Sequence, residues 1–328
     1  IDAIGVKRPS SDPHATAYVD RMIDLIAELV DKGFAYETSD GVYFAPEGVD
    51  GYGLLARQSI DSLRAGARVE TIDEKRSPID FALWKKSKPG EPAWDAPWGA
   101  GRPGWHTECV VMSLDLLGDG FDLHGGGQDL AFPHHENERA QALAAGRHSA
   151  NLWVHNGFVE VGGEKMSKSL GNFTTLLDMV DAEDPRAYRL LVLRAHYRSP
   201  VEVTREAAAD AATALKRLDN VARRTAELTP RPADEEVLEE FRDLMDDDLN
   251  TPGALALLFD QIRAANTALD EGRDYDAAVA WATISEICTA VGLQPVTQDE
   301  QIPEDIAAMA QARDDARVEK NWPEADRL

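Results

Sequence analysis

The residues best suited to chemistry lie close together between positions 104 and 138. This stretch contains four of the eight histidines, one of the two cysteines and the triple glycine at 125–127. Three of its side chains, Cys109, His134 and Glu138, could supply a thiolate, an imidazole and a carboxylate, all of which bind zinc in proteins. A cysteine beside a histidine is also an ordinary packing contact. The pattern alone leaves both a metal site and plain packing open.

The local sequence indicates which elements hold these residues. Residues 121–123 are predicted to form a short buried strand, and the glycines at 125–127 a loop. Pro133 is predicted to open a helix, since proline is tolerated at the first helical position. On that helix His134 and Glu138 are four residues apart and share one face. With a further helix after Cys109, this order suits a nucleotide at the carboxyl edge of a parallel sheet.

A second candidate for chemistry is the segment GGEKMSKSLGNF at 162–173. Lys165 and Lys168 are three residues apart in a loop rich in glycine and serine. Such a cationic loop suits the charge that develops on a triphosphate as it loses pyrophosphate. Taken alone, a short basic loop is more often a solvated turn.

These segments together resemble a known family. Residues 165–169 read KMSKS, which resembles the signature of class I aminoacyl-tRNA synthetases. The segments GWHTEC, FDLHGGGQDLAFPHHENERAQ and MDDDLNTPGALA resemble the pattern of cysteinyl-tRNA synthetases. The resemblance covers nearly the whole chain. It implies an α/β fold, with the second half of a class I synthetase Rossmann-type nucleotide-binding fold, an insertion, and then an all-α helical bundle.

The resemblance also implies a division into five parts. These are the end of the first Rossmann half with the connective insertion at 1–103, the second half of the Rossmann catalytic domain at 104–157, the KMSKS loop and stem-contact region at 158–204, a tRNA-binding helical bundle at 205–293, and the start of a C-terminal anticodon-side domain at 294–328. The family has a strand with a cysteine zinc ligand and a HIGH motif ahead of the position of Ile1. We therefore expect this chain to be a fragment that lacks the HIGH-containing segment and the extreme C-terminus.

Apolar spacing and turn residues predict the remaining elements. A helix is expected at 17–32, a hairpin about Asp40 and Gly41, and a strand in LWVHNGFV. Thr251 is expected to cap a helix that has proline at its first position. Further helices are expected at 205–228, 235–247, 251–271, 276–291 and 303–320, and one that begins at 184–185.

The resemblance implies a ligand set and a substrate wall. The zinc ligands present would be Cys109, His134 and Glu138, with a fourth ligand, a cysteine, ahead of Ile1. His135 is the competing ligand. Trp105 resembles the aromatic wall beside the substrate, and core packing is its alternative.

The resemblance also implies the nucleotide-binding residues. The adenylate cradle would consist of four residues: His124, Gly125, Gly126 and Gly127. Asp129 resembles the ribose-binding acid of the family, and helix capping is its alternative. Lys165 and Lys168 would be the catalytic residues that bind the ATP phosphates, with Lys168 the stronger candidate.

The implied activity is that of a cysteine–tRNA ligase. ATP, accompanied by Mg²⁺, would activate L-cysteine as cysteinyl-adenylate, and the acyl group would pass to tRNA(Cys). A simple pocket separates cysteine from serine poorly, whereas zinc favours a thiolate. One alternative is the cysteine:amino-sugar ligase of mycothiol synthesis, although HHENERAQ, DDDLNTP and the helical tail favour the synthetase. The other is an inactive zinc- or nucleotide-binding fragment.

Composition limits the partners. The formal net charge is −25, so general electrostatics would repel nucleic acid, and tRNA contacts must depend on local basic patches such as the four arginines at 186–198. No apolar run approaches ~18 residues, so no membrane span is expected. The two cysteines are far apart, which fits a reducing cytoplasm. A cytoplasmic monomer is the expectation.

Overall fold

Two separate hydrophobic cores organise the chain, one in each half of its length. The computed structural model describes residues 1–66, 74–166 and 175–297, with short stretches at 309, 311–313, 315–317 and 321–327. No helix in these ranges is long and apolar enough to cross a bilayer. Of the predicted elements, the helix at 303–320 lies largely outside the described residues.

Helix α1 (Val19–Asp31) begins the first core. Its buried side chains include Met22, Ile26 and Leu29, which recur every three or four residues and so form one apolar face. Gly33 follows the helix with φ 80°, a backbone conformation that glycine adopts without strain. The predicted helix is confirmed.

An antiparallel sheet packs against α1. Its strands are β1 (Ala35–Thr38), β2 (Gly41–Phe44), β3 (Phe81–Lys86) and β4 (Gly101–Pro103), hydrogen-bonded in that order. Helix α2 (Ile60–Gly66) lies in the connection between β2 and β3. The first two strands form the predicted hairpin, which is therefore confirmed.

The segment with the candidate chemistry folds as a helix followed by a β–α–β unit. The elements are α3 (Trp105–Leu117), β5 (Leu123–Gly127), α4 (Glu136–Ala144) and β6 (Leu152–Asn156). Strands β5 and β6 are parallel and neighbouring, so their carboxyl ends meet at one edge. This is the arrangement expected of a nucleotide-binding half, and the predicted strand in LWVHNGFV is confirmed.

Three local predictions in this unit need correction. The strand begins at Leu123, which is exposed, and it includes the glycines that were predicted to form a loop. Cys109 lies inside α3 and does not precede it. Regular helix begins at Glu136, because residues Ala131–His135 form a wide turn in which Phe132 has an extended backbone (φ −140°, ψ 135°).

A small sheet and two short helices connect the halves. The sheet consists of β7 (Val159–Val161), β8 (Glu164–Lys165) and β9 (Val201–Glu202), with β7 in the centre. Helices α5 (Leu176–Ala182) and α6 (Pro185–Leu193) lie between β8 and β9. The predicted start of α6 is confirmed, because the Asp184 side chain accepts a hydrogen bond from the backbone N–H of Arg186.

Four long helices form the second core with α6. They are α7 (Arg205–Thr225), α8 (Glu235–Asp246), α9 (Thr251–Asp270) and α10 (Asp274–Val291), and a short helix follows at Trp322–Arg327. The four long helices match the predicted ones. The predicted N-cap of α9 was wrong by one residue. The side chain of Asn250, not that of Thr251, accepts the hydrogen bond from the N–H of Gly253.

The arginines predicted to form a basic patch around α6 are engaged within the protein. Arg186 donates to the carboxylates of Asp184 and Asp219, and Arg189 donates to the carbonyl oxygen of Val291. The other two arginines, Arg194 and Arg198, pair with Asp210 and Asp248. These four side chains therefore tie α6 and its following loop to the bundle, and carboxylates compensate the charges of all of them except Arg189, which donates to backbone carbonyl oxygens.

Candidate metal centre

The start of α3 brings an aromatic ring and a thiol close to His134. Gly104 precedes the helix, and a Cβ there would lie 2.3 Å from the carbonyl oxygen of Ala82, so only glycine permits this close approach to β3. Trp105 is 58% exposed, and its ring stacks on that of His134 at a centroid distance of 3.9 Å. Cys109 follows one turn later and is half-buried. Trp105 thus lies beside the candidate metal ligands, as a substrate wall would.

The glycines of β5 are explained by two close neighbours. A Cβ at Gly126 would lie 2.8 Å from Cε1 of His135, so this strand position must lack a side chain for the ring to pack there. A Cβ at Gly127 would lie 2.6 Å from Oδ1 of Asp129. At Gly125 the nearest side-chain atom would be at an ordinary 3.8 Å.

The residues from His134 to Glu138 are all buried although all are polar. Their surroundings explain how this is tolerated. Asn137 accepts a hydrogen bond from the hydroxyl of Tyr52 at 2.6 Å, and Glu136 accepts one from the backbone N–H of Ala56 at 3.0 Å. Buried polar groups are costly unless they have partners, and the loop before α2 supplies these. The loop therefore fixes the start of α4.

Cys109, His134 and Glu138, the ligand set that the resemblance implies, lie close together. One potential ligand atom from each lies within 4.8 Å of the other two. His134 Nε2 is 2.7 Å from Oε1 of Glu138. That oxygen nevertheless accepts no hydrogen bond from any described residue, since the two atoms touch without the alignment that a hydrogen bond requires.

A second triad shares the same carboxylate. His124, His135 and Glu138 also have ligand atoms within 4.8 Å of one another. His124 Nε2 lies 3.3 Å from Oε2 of Glu138, the oxygen that does not face His134. The two oxygens of Glu138 therefore face different histidine nitrogens. Both His134 and His135 remain candidate ligands beside the same carboxylate.

The Cys109 thiol and the His135 imidazole are both held in their neutral forms. Burial, followed by the charges of Glu138 and Glu108, raises the pKa of the Cys109 thiol to about 12. Burial, followed by the charge of His124, lowers the pKa of His135 to about 3. Beside these neutral groups, the buried Oε1 of Glu138 accepts no hydrogen bond from the described residues, and such a site favours a positive ion. Sulfur, nitrogen and oxygen donors together are the set that zinc accepts.

Two histidines in this cluster were not predicted from the sequence. His106 Nδ1 lies 2.7 Å from Nδ1 of His134, and His155 Nε2 lies 2.9 Å from Nδ1 of His135. His106 precedes Cys109 by three residues on α3, so helical spacing places both on one side. His155 has no comparable signal, because it meets His135 only through the pairing of β5 with β6.

The KMSKS segment is partly described. Lys165 ends β8, where its backbone pairs with Glu160 of β7. The hairpin turn consists of Gly162 and Gly163, both with positive φ, and their N–H groups donate to the carboxylate of Glu202. Lys168 lies outside the described residues. The hairpin positions the start of this segment next to β9.

Comparisons with known proteins define the class. Residues 1–213 match the family model described as the tRNA synthetases class I (C) catalytic domain, and residues 240–293 match the DALR domain. The fold is similar to that of Mycobacterium tuberculosis methionyl-tRNA synthetase, solved in complex with methionyl-adenylate, with a TM-score of 0.62. That match covers 89% of this chain and 74% of the other at 16% identity. The fold is that of a class I aminoacyl-tRNA synthetase.

Curated relatives narrow the class to one family. A cysteine–tRNA ligase of Geobacter metallireducens is 48% identical over 83% of this chain and 59% of its own length. One of Caldicellulosiruptor saccharolyticus is 43% identical over 100% of this chain and 74% of its own length. The chain thus spans between 59% and 74% of the length of these relatives. It belongs to the cysteine–tRNA ligase family, and the predicted family and fold class are confirmed.

Proposed function

We propose that the protein containing this chain joins L-cysteine to tRNA(Cys) at the expense of ATP. The cysteine carboxylate attacks the α-phosphorus of ATP, which forms cysteinyl-adenylate and releases pyrophosphate. The terminal ribose hydroxyl of the tRNA then takes the acyl group and releases AMP. The observation that supports this most is the convergence of Cys109, His134 and Glu138 in a chain of this family. The DALR match at 240–293 favours this activity over that of an amino-sugar ligase.

Cys109, His134 and Glu138 would hold a zinc ion. The fit is supported by the buried Oε1 of Glu138, which lacks a hydrogen bond from the described residues, and by the mixed donor set. A bound zinc ion would favour the thiolate of cysteine over the hydroxyl of serine. The triad with His134 is preferred to the one with His135, because only it includes the sulfur donor.

Other residues would bind and orient the substrates. Trp105 would cover the cysteine side chain, since its exposed ring lies on His134. His124 and the backbone of β5 would hold the adenylate at the carboxyl edge of the parallel pair, with Asp129 at the ribose. Lys165 and Lys168 would bind the phosphates of ATP, which Mg²⁺ accompanies. The chemistry then depends on positioning and on charge stabilisation.

The tRNA would contact the helical half at an arginine-lined groove. The groove has a volume of about 270 Å³ and lies between the end of α6, α7 and α9. It is lined by Phe259 and by three arginines, of which Arg194 and Arg263 pair with Asp210 and Asp260 and the third is Arg217. Arg217 is exposed and forms no ion pair within the described ranges, so its charge is available to a phosphate. In a chain of net charge −25, such a patch would direct where the tRNA binds.

We further propose that the reaction takes place in the cytoplasm and that the protein is a monomer, which sedimentation velocity would check. The function itself is tested by aminoacylation of tRNA(Cys) with labelled cysteine, using the longest reading frame that contains this chain. We expect charging with L-cysteine and none with L-serine. If the zinc-loaded protein charged neither, the proposed function would be refuted.

A further inference from the structure

The hydrogen bond between His106 and His134 determines what His134 can bind. Their Nδ1 atoms are 2.7 Å apart, a distance that requires one proton between them. If His106 donates this proton, a neutral His134 carries its own proton on Nε2. If His134 donates it, the Nε2 of His134 keeps a free lone pair. Only in the second arrangement can Nε2, which lies 2.7 Å from Oε1 of Glu138, bind an ion beside that carboxylate.

The ring of His106 contacts two aromatic rings. Phe81 of β3 meets it edge-on at a centroid distance of 5.4 Å and an angle of 88°. The ring of Trp105 lies at a centroid distance of 6.0 Å and is inclined to it by 23°. His106 is not a member of either triad that could hold a metal. Its position is therefore that of a fixed hydrogen-bond partner for a ligand, not of a ligand.

We propose that His106 is a positioning residue of the zinc site, which accepts the Nδ1–H of His134 and so fixes the tautomer that leaves Nε2 free. A metal-ligating histidine generally donates its second N–H to a partner that also fixes its orientation, and in this chain the partner is a second imidazole. The inference rests on the proposed function. It concerns only residues of this chain. It also distinguishes the two triads, because His135 has a separate hydrogen-bond partner in His155.

Zinc affinity of the full chain tests this, measured by competition with a chromophoric chelator. His106→Leu removes the acceptor, and we expect zinc to bind roughly 10–100-fold more weakly. His106→Asn places an oxygen near the position of Nδ1 and should restore affinity to within a few-fold. His155→Leu is the matched control, since it removes the partner of His135, and it should leave the affinity unchanged.

Three results would overturn the inference. Wild-type affinity in His106→Leu would show that the bond is not used, and equal losses in the Leu and Asn variants would show that His106 only fills space. A loss confined to His155→Leu would transfer the role to the other pair. If the wild-type chain bound no zinc, both the proposed metal site and this inference would be refuted. The three results above would refute only the role of His106.

A second readout needs no variant. Long-range ¹⁵N–¹H correlation spectra of the histidine-labelled, zinc-loaded chain report which ring nitrogen carries the proton. We expect His134 to be protonated at Nδ1 and His106 to be protonated at Nε2 with a bare Nδ1. A His106 ring protonated at Nδ1 in the zinc-loaded chain would refute the proposal even if no variant folded.

Discussion

Both halves of the molecule have an apolar core, but they differ in the polar side chains that they bury. The first half encloses a run of five buried polar residues from His134 to Glu138, whereas the helical half is filled mainly by alanine, leucine and isoleucine. Burying polar groups costs free energy unless they are paired, and packing apolar groups stabilises the fold. The difference is what the proposed function requires, with a costly arrangement kept for chemistry in the first half and a stable support in the second.

Replacing each cysteine in turn tests the difference between the halves most directly, because each half contains one. Cys109→Ser should abolish zinc retention, since it removes the only sulfur donor among the described residues near His134 and Glu138. Cys288 is fully buried in the bundle, and Cys288→Ser should retain zinc while losing about 1–3 kcal/mol of stability to a buried hydroxyl. Zinc analysis by mass spectrometry and urea unfolding measure both. Zinc content equal to wild type in Cys109→Ser would remove this site.

A cavity in the helical half should change stability without changing metal binding. Leu258 on α9 is 1% exposed in the second core. Leu258→Ala should lower the free energy of unfolding by about 2–5 kcal/mol, from lost burial and the space left behind. Calorimetry and a zinc assay of the same sample check this. A large loss of zinc affinity would show that the halves are coupled and that the distinction drawn between them is wrong.

A substitution in the arginine-lined groove should have a smaller effect, confined to tRNA binding. Arg217→Glu should weaken tRNA binding and reduce the slope of log affinity against log salt by about 1, while cysteine activation stays intact. Arg242→Glu is the matched control, because it makes the same charge change on α8, away from the groove. Filter binding over a salt series measures both. Equal losses in the two variants would indicate a general charge effect with no role for the groove.

The smallest expected effect is an acid dependence in the helical half. Hydrogen bonds from Arg198 and then Tyr197 lower the pKa of Asp248 from 3.8 to about 2. A lowered carboxyl pKa contributes stability that is present above pH 3.8 and is lost as the pH falls towards 2. Asp248→Asn should therefore flatten the loss of stability between pH 4 and pH 2. An unchanged acid profile in thermal melts would show that this exposed cluster contributes nothing measurable.

Sequence reasoning predicted the elements that local patterns determine. Helix α1 and the hairpin after it follow from apolar spacing and from Asp40–Gly41, and the Cys109, His134 and Glu138 set follows from residue type and family pattern. The resemblance, more than periodicity, identified the fold class. These predictions required no knowledge of distant contacts.

The structure differs from the sequence-based predictions where contacts between distant residues determine the local conformation. The glycines of β5 form a strand because they pair with β6, and Gly126 admits the ring of His135; local sequence reveals neither contact. The pair of His106 with His134 depends on how α3 meets α4. Asn250 takes the cap expected of Thr251, a shift of one residue between two good capping side chains. Carboxylates from α7 and the α8–α9 loop compensate Arg186, Arg194 and Arg198.

The central claim is that the buried polar cluster of the first half activates cysteine. Its most direct test is the exchange of labelled pyrophosphate into ATP in the presence of L-cysteine, with the longest reading frame that contains this chain. We expect exchange with L-cysteine and not with L-serine in the wild-type protein, none in Cys109→Ser, and normal exchange in Cys288→Ser. Wild-type exchange in a zinc-free Cys109→Ser protein would contradict the account.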